Sequence, residues 1–164
     1  MVNYLLMITA ELENLQYLQP QGGCDDPNFN YYFKLKCGNC GEVTQKETCV
    51  CLSETVASTR GKGEVHLNQK CKFCSREGTL LMIKGKGQPL TQEHAETGKF
   101  APLMLFDCRG FEPLDFLFAG GWEAESIDGT KFVDIDLSGG DYFDYDENGQ
   151  CPVMISNPRA RFTV

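Results

Sequence analysis

Bulky and polar residues alternate in short runs along this chain, with the two-residue period of strands far more often than the 3.6-residue period of helices. Tyr31-Tyr32-Phe33-Lys34-Leu35-Lys36 and Glu64-Val65-His66-Leu67-Asn68-Gln69-Lys70 are clear cases. Runs of this kind predict strands at about residues 3–12, 29–36, 42–50, 63–70, 78–84, 100–108, 130–137 and 152–163. Gln88 to Lys99 carries Pro89, Gly98 and several polar residues, which predicts a connection between two halves with one helical turn from Thr91. Seventeen glycines fit a chain of many turns. The expectation is an all-β fold.

An internal echo refines it. At an offset of 99 residues, Tyr4-Leu5-Leu6-Met7 lies over Leu103-Met104-Leu105-Phe106, Leu12 to Leu18 over Phe111 to Leu117, and Gly22 over Gly121. The same order of apolar strand, mixed segment and glycine turn predicts two related β units packed as barrel-like halves, residues 1–99 and 100–164, which together can form one compact domain.

Four cysteines carry the strongest chemical signal. Cys37-Gly38-Asn39-Cys40 and Cys71-Lys72-Phe73-Cys74 are two pairs with two-residue gaps, each following one of the alternating runs. A gap of two lets one tight turn present both sulfurs to a metal, so the two pairs predict a tetrahedral site for one Zn²⁺. Gly38 and Gly41 suit the sharp bend of the first knuckle, whereas the second has Ser75 where a glycine is expected. Metal turns at strand ends describe a zinc-ribbon-like site in the N-terminal half. Thioredoxin-like dithiol chemistry needs a βαβ setting and a helix N-terminus, and the pattern offers neither. Four protein thiolates leave no open coordination position, so the site is expected to be structural.

Composition narrows the partners. A formal charge of −8 and a pI near 4.7 oppose binding to nucleic acid, which needs a basic face. Lys34, Lys36, Lys46, Arg60, Lys62, Lys70, Lys72 and Arg76 all fall in the zinc-bearing half, and the expectation is that they are solvated charges on outward strand faces. No apolar stretch approaches the roughly 20 residues that cross a bilayer, and the N-terminal residues lack a basic n-region and a cleavage site. Nine cysteines, an odd number, with metal-like spacing favour a reducing compartment, and the chain is expected to be cytoplasmic.

Several motifs together resemble one family. Leu35-Lys36-Cys37-Gly38-Asn39-Cys40-Gly41-Glu42, Gln69 to Cys74, Phe106-Asp107-Cys108-Arg109-Gly110-Phe111-Glu112-Pro113-Leu114-Asp115-Phe116 and Asp144-Tyr145-Asp146-Glu147 are similar to those of the eukaryotic CXXC-motif-containing zinc-binding proteins. The resemblance extends over essentially the whole chain. It implies a small eukaryotic soluble protein of two β units with zinc at Cys37, Cys40, Cys71 and Cys74, and it implies little about function. Cys24, Cys49, Cys51 and a C-terminus rich in Pro and Arg depart from the usual pattern.

Other reactive residues point to packing. Cys108 and Arg109 are neighbours on a strand and face opposite ways, so a buried cysteine and an arginine pairing with Glu112 or Asp115 are expected. His66 and His94, the two histidines, have no partner at ligand or nucleophile spacing. A zinc-bearing methionine sulfoxide reductase would need a nucleophilic cysteine near the C-terminus, where Thr163 stands. Asp144, Asp146, Asn148 and Gly149 mimic half of an EF-hand loop, but Ile155 occupies the position of the bidentate glutamate, so a solvated or partner-facing acidic loop is expected. Tyr142, Phe143 and Tyr145 within it suit an interface or a plug for the barrel end. Cys49 and Cys51, one residue apart on a strand, would share a face and could touch a soft ion such as Cu(I), although two buried strand cysteines are expected.

The sequence therefore predicts a zinc-binding protein with a structural four-cysteine site, one Zn²⁺ per chain, serving as a non-enzymatic module that binds a protein, with neither nucleic acid nor membrane as partner. The alternative is a metal-handling accessory that exchanges zinc or copper through its CxxC thiolates.

Overall fold

A computed structural model describes residues 2–58, 61 and 63–164. Arg60 and Lys62 of the basic run lie outside the described residues. The chain begins with β1 (Val2–Glu13), β2 (Leu15–Pro20), β3 (Tyr31–Cys37) and β4 (Thr48–Val50), followed by β5 (Val56–Ala57), β6 (Glu64–Val65), β7 (Leu67–Lys70) and β8 (Glu77–Ile83). The short β9 (Leu90–Thr91) leads into α1 (Gln92–Glu96), and then come β10 (Ala101–Arg109), β11 (Phe111–Leu117) and β12 (Trp122–Ser126). The series ends with β13 (Lys131–Ile135), β14 (Tyr142–Asp146) and β15 (Cys151–Thr163). Among the described residues no helix is long and apolar enough to cross a membrane.

The all-β expectation holds, with two barrel-like halves. A six-stranded sheet runs β14-β15-β1-β10-β8-β7, and against it lie sheets β11-β3-β4 and β13-β12-β2-β9, with β5 and β6 forming a separate ribbon. The order is symmetric about the central β1–β10 pair. β1, β2, β3, β4, β7 and β8 correspond to β10, β11, β12, β13, β14 and β15, and each half lends strands to the other, because β3 pairs with β11, β2 with β12, β8 with β10 and β15 with β1. Strands from residues 1–99 and 100–164 are thus neighbours within each of the three larger sheets.

The pairing also corrects the echo. Asn14 (φ 58°) joins β1 to β2 as Gly110 (φ 87°) joins β10 to β11, and the Ile127 N–H donates to the Asn14 carbonyl as the Gly38 N–H donates to that of Gly110. The two segments are therefore related by 96 residues, three fewer than the sequence match. Unbroken apolar runs such as Leu5-Leu6-Met7-Ile8 look alike at either offset, so only hydrogen-bond register distinguishes them.

Most predicted runs are strands, with informative exceptions. The run at 42–50 shrinks to β4 plus an isolated bridge between Lys36 and Val43. The run at 63–70 is divided at His66, whose Nδ1 accepts from the Met82 N–H at 2.9 Å. β2, β11, β12 and β14 were not legible, because they carry proline or several carboxylates and form only through pairing. Pro113 is tolerated because β11 is the edge of its sheet. The stretch expected to be an acidic loop is strand β14. Thr91 caps α1 as predicted, its hydroxyl accepting from the His94 N–H.

Alternation along β3 turns Tyr31, Phe33, Leu35 and Cys37 inward and Tyr32, Lys34 and Lys36 outward. The inward rings continue through Phe106 of β10 and Phe162 of β15 on one side, and through Phe29, Phe118 and Trp122 on the other, with neighbouring centroids 4.9 to 6.4 Å apart. A chain of aromatic contacts, most of them edge-on and the rest tilted, links the sheets through the core.

Candidate metal centre

Two hairpins build the centre. The first knuckle follows β3, where the Cys37 N–H bonds the Glu42 carbonyl at 2.9 Å and the Gly41 N–H bonds the Cys37 carbonyl at 3.0 Å. The second joins β7 to β8 with the same two bonds, from the Cys71 N–H to Arg76 at 2.8 Å and from the Ser75 N–H to Cys71 at 3.0 Å. Gly41 (φ 79°) and Ser75 (φ 66°) both take the left-handed conformation that closes each turn. The missing glycine therefore leaves the second knuckle's shape intact, and serine bears a modest backbone cost there.

β3 carries Cys37 on its inward face, and pairing of β11 with β3 and of β10 with β8 brings the second knuckle beside the first. The four sulfurs of Cys37, Cys40, Cys71 and Cys74 lie within 4.8 Å of one another. Cys37–Cys74 and Cys40–Cys71 are each 3.6 Å apart at Sγ. Zn–S bonds of about 2.3 Å at tetrahedral angles separate sulfurs by about 3.8 Å, so this donor set fits zinc.

Neighbouring polar groups favour the thiolate at two of the four cysteines. The Asn39 side chain and the Arg76 backbone N–H draw Cys74 down to about 6, and the N–H groups of Cys40 and Asn39 also lower Cys37. At Cys40 the Glu42 N–H favours the thiolate, but desolvation and the sulfurs of Cys71, Cys37 and Cys74 outweigh it and push the group up to about 12. Four thiols this close resist ionising together, which is the repulsion that a bound dication removes. Cys37 is buried and Cys40 is exposed.

The counterpart hairpins of the second half lack the paired sulfurs and hold only Cys151. Ser126 to Thr130 matches the first knuckle, with the Ser126 N–H on the Thr130 carbonyl at 2.8 Å, and Asp146 to Cys151 matches the second. Asp146 is fully buried, and its Oδ1 accepts from the Thr130 hydroxyl at 2.6 Å and the Asn148 N–H at 3.1 Å. Hydrogen bonds thus staple the pair that sulfur staples in the first half. This centre went unseen because Thr130 and Asp146 meet only through the symmetry.

Donation from the Thr130 hydroxyl, then from Ser126, holds the Asp146 carboxyl below its ordinary value. A carboxyl lowered by folding contributes stability that is complete above its unfolded value, about 3.9, and is lost as pH falls through the lower folded value. Asp146→Ala is therefore expected to lower the urea midpoint at pH 7 and to narrow the gap between midpoints at pH 7 and pH 2.5. An unchanged gap would remove Asp146 from the staple.

The remaining candidates are dispersed. Cys108 is buried and pushed up to about 12 by desolvation and then by Asp107, and Cys24 is raised to about 11 by desolvation and then by Asp25. Glu112 pairs with Lys36 at 3.7 Å. Cys49 is exposed and Cys51 buried, because β4 ends at Val50, so the two thiols do not share a face as expected. Burial lowers His66, with the Leu52 backbone opposing, and the His94 Nδ1 lies 2.9 Å from the Thr91 hydroxyl. Phe143, 67% exposed, and Tyr145 stand outward on β14, whereas Tyr142 packs against the core.

Comparison with known proteins agrees with this centre. Residues 5–163 match the model of the family described as CXXC motif containing zinc binding protein, eukaryotic. A Xenopus laevis protein named CXXC motif containing zinc binding protein is 40% identical over 164 residues, covering 99% of both chains. The Homo sapiens protein of the same name is 40% identical over 158 residues, covering 96% of this chain and 95% of its own. A crystal structure of C1orf123 superposes with a TM-score of 0.88 at 37% identity, covering 99% of each chain. A hypothetical protein from Plasmodium falciparum, 20% identical over 99% of this chain and 100% of its own, shares the fold with a TM-score of 0.84.

Proposed function

This chain belongs to the eukaryotic family of CXXC-motif-containing zinc-binding proteins, and from that premise we propose that it is a non-enzymatic protein-interaction module in which Cys37, Cys40, Cys71 and Cys74 hold one structural zinc ion per chain. The observation that carries this reading is the closed set of four sulfurs at two matching hairpin tips. Four protein ligands leave no position for substrate, so the metal's contribution is to tie β3 to the β7–β8 hairpin. Cys24 and Cys108 lend no support to nucleophilic catalysis, since both are buried and raised. All nine cysteines are unpaired by disulfides, which suits a cytoplasmic setting. Partners are proteins rather than nucleic acid or membrane, in keeping with the acidic charge.

Exposure of Cys40 favours a second reading, in which the centre hands its metal to another protein. Thiol exchange needs an outer sulfur that an incoming thiolate can replace. Elemental analysis, combined with the rate of zinc transfer to an excess of competing chelator, separates the two. The expected result is one zinc per chain, released to the chelator over hours. Sub-stoichiometric zinc, or release within seconds, would sink the structural role and establish metal handling.

A further inference from the structure

Against the metal centre, with Cys37 and Cys71 in its wall, lies a groove of about 500 Å³. Leu35, Val43, Phe73 and Phe111 supply its apolar lining. Phe73 lies in the second knuckle and is 69% exposed, the most exposed apolar side chain of the groove. Phe111 keeps its place in the wall because residue 78 is glycine: a Cβ there would overlap the Phe111 ring and the Arg109 carbonyl.

The rim has the opposite charge to the molecule. Lys46, Lys70, Lys72 and Arg76 line the groove and are exposed, against two acids, Glu42 and Glu47, on a chain of net charge −8. Part of the basic run expected as solvated charges on outward strand faces is exposed and gathered here, while Lys36 is engaged by Glu112 on β11. Arg76 is held over the first knuckle by Asn39 Oδ1 at 3.4 Å. An apolar trough with a cationic rim attracts a ligand carrying apolar side chains between carboxylates.

We propose that this groove docks an extended acidic segment of a protein partner, seating an aromatic or aliphatic side chain against Phe73 and Phe111 while its carboxylates meet Lys46, Lys70, Lys72 and Arg76. The proposal deepens the interaction-module reading and rests on it. Zinc then has a second consequence, since it holds Lys72 and Phe73 in the turn that presents them. A polyanionic nucleic acid is disfavoured because the acidic remainder of the surface would repel its length beyond the groove.

The test is fluorescence anisotropy on the zinc-loaded full chain with a labelled nonapeptide, EDEFELDEE. Its lysine counterpart KKKFKLKKK and a nine-nucleotide oligouridylate serve as comparisons. K70E/K72E, which reverses two rim charges, should weaken the acidic peptide about tenfold, and Phe73→Ala should do the same by removing the apolar seat. Arg161→Glu, whose guanidinium lies 4.2 Å from the Phe100 ring centroid outside the groove, should leave affinity unchanged with zinc content intact in every variant. Equal weakening by Arg161→Glu, equal binding of the lysine peptide, or tighter binding of the oligouridylate would each overturn the proposal. So would a partner captured by the wild-type chain and retained undiminished by K70E/K72E, an outcome that leaves the interaction reading standing. Rapid zinc exchange in the chelator experiment would instead remove the interaction reading.

Discussion

Cys37→Ser is expected to release the zinc and lower the thermal midpoint by about 10 °C or more, read by elemental analysis and by melting of the same sample. Cys37 ends the inward alternation of β3 and lies 3.6 Å from Cys74. Its loss therefore removes a ligand and unties β3 from the β7–β8 hairpin. Stability that depends on a closed metal site falls together with metal content, because the unfolded chain has no preformed site. Cys49→Ser is the control, since Cys49 is exposed and lies outside the sulfur cluster, and it should keep full zinc and nearly the same midpoint. A folded Cys37→Ser protein with full zinc would refute the assignment. Strong chelators should lower the midpoint of the wild type, while reducing agents should scarcely change it, because the nine cysteines are free.

Phe106→Ala should cost about 3–5 kcal/mol in urea unfolding, with zinc retained in the folded fraction. Phe106 is fully buried on β10, and its ring lies 5.8 Å from Tyr31, 5.4 Å from Phe33 and 6.0 Å from Phe162, centroid to centroid. Those partners come from β3 and β15, one in each half, so the cavity would open where the sheets join. Phe106→Leu keeps most of the volume and should cost less than about 1.5 kcal/mol. A cost for alanine near that for leucine would show that the aromatic chain is not what couples the sheets. The two substitutions also separate two sources of stability: one removes metal and leaves the core, and the other does the reverse.

Much of the centre was legible because its information is local. Cys37 and Cys40 share one turn and Cys71 and Cys74 another, and a two-residue gap constrains sulfur positions whatever surrounds it. β3 was legible for a similar reason, since Tyr31, Phe33 and Leu35 alternate with Tyr32, Lys34 and Lys36. β11 and β14 were harder. Pro113, Asp144 and Asp146 are poor strand formers, and they sit in strands because β3 and β15 supply hydrogen-bond partners from far along the chain. The burial of Asp146 could not be anticipated within an acidic stretch, because Thr130, which donates to its Oδ1, lies on a different hairpin.

By itself, the sequence determined the all-β class, the four-cysteine donor set and the existence of two related units, since these depend on side-chain period, short spacings and repeated order. Only the tertiary structure decided the 96-residue register of the repeat, the exchange of strands between the halves, the hydrogen-bonded staple around Asp146 and the basic-rimmed groove beside Phe73. Each of these depends on which distant segments pair. Apolar strands tolerate several pairings locally, and burial of one common core together with satisfaction of every ladder selects among them.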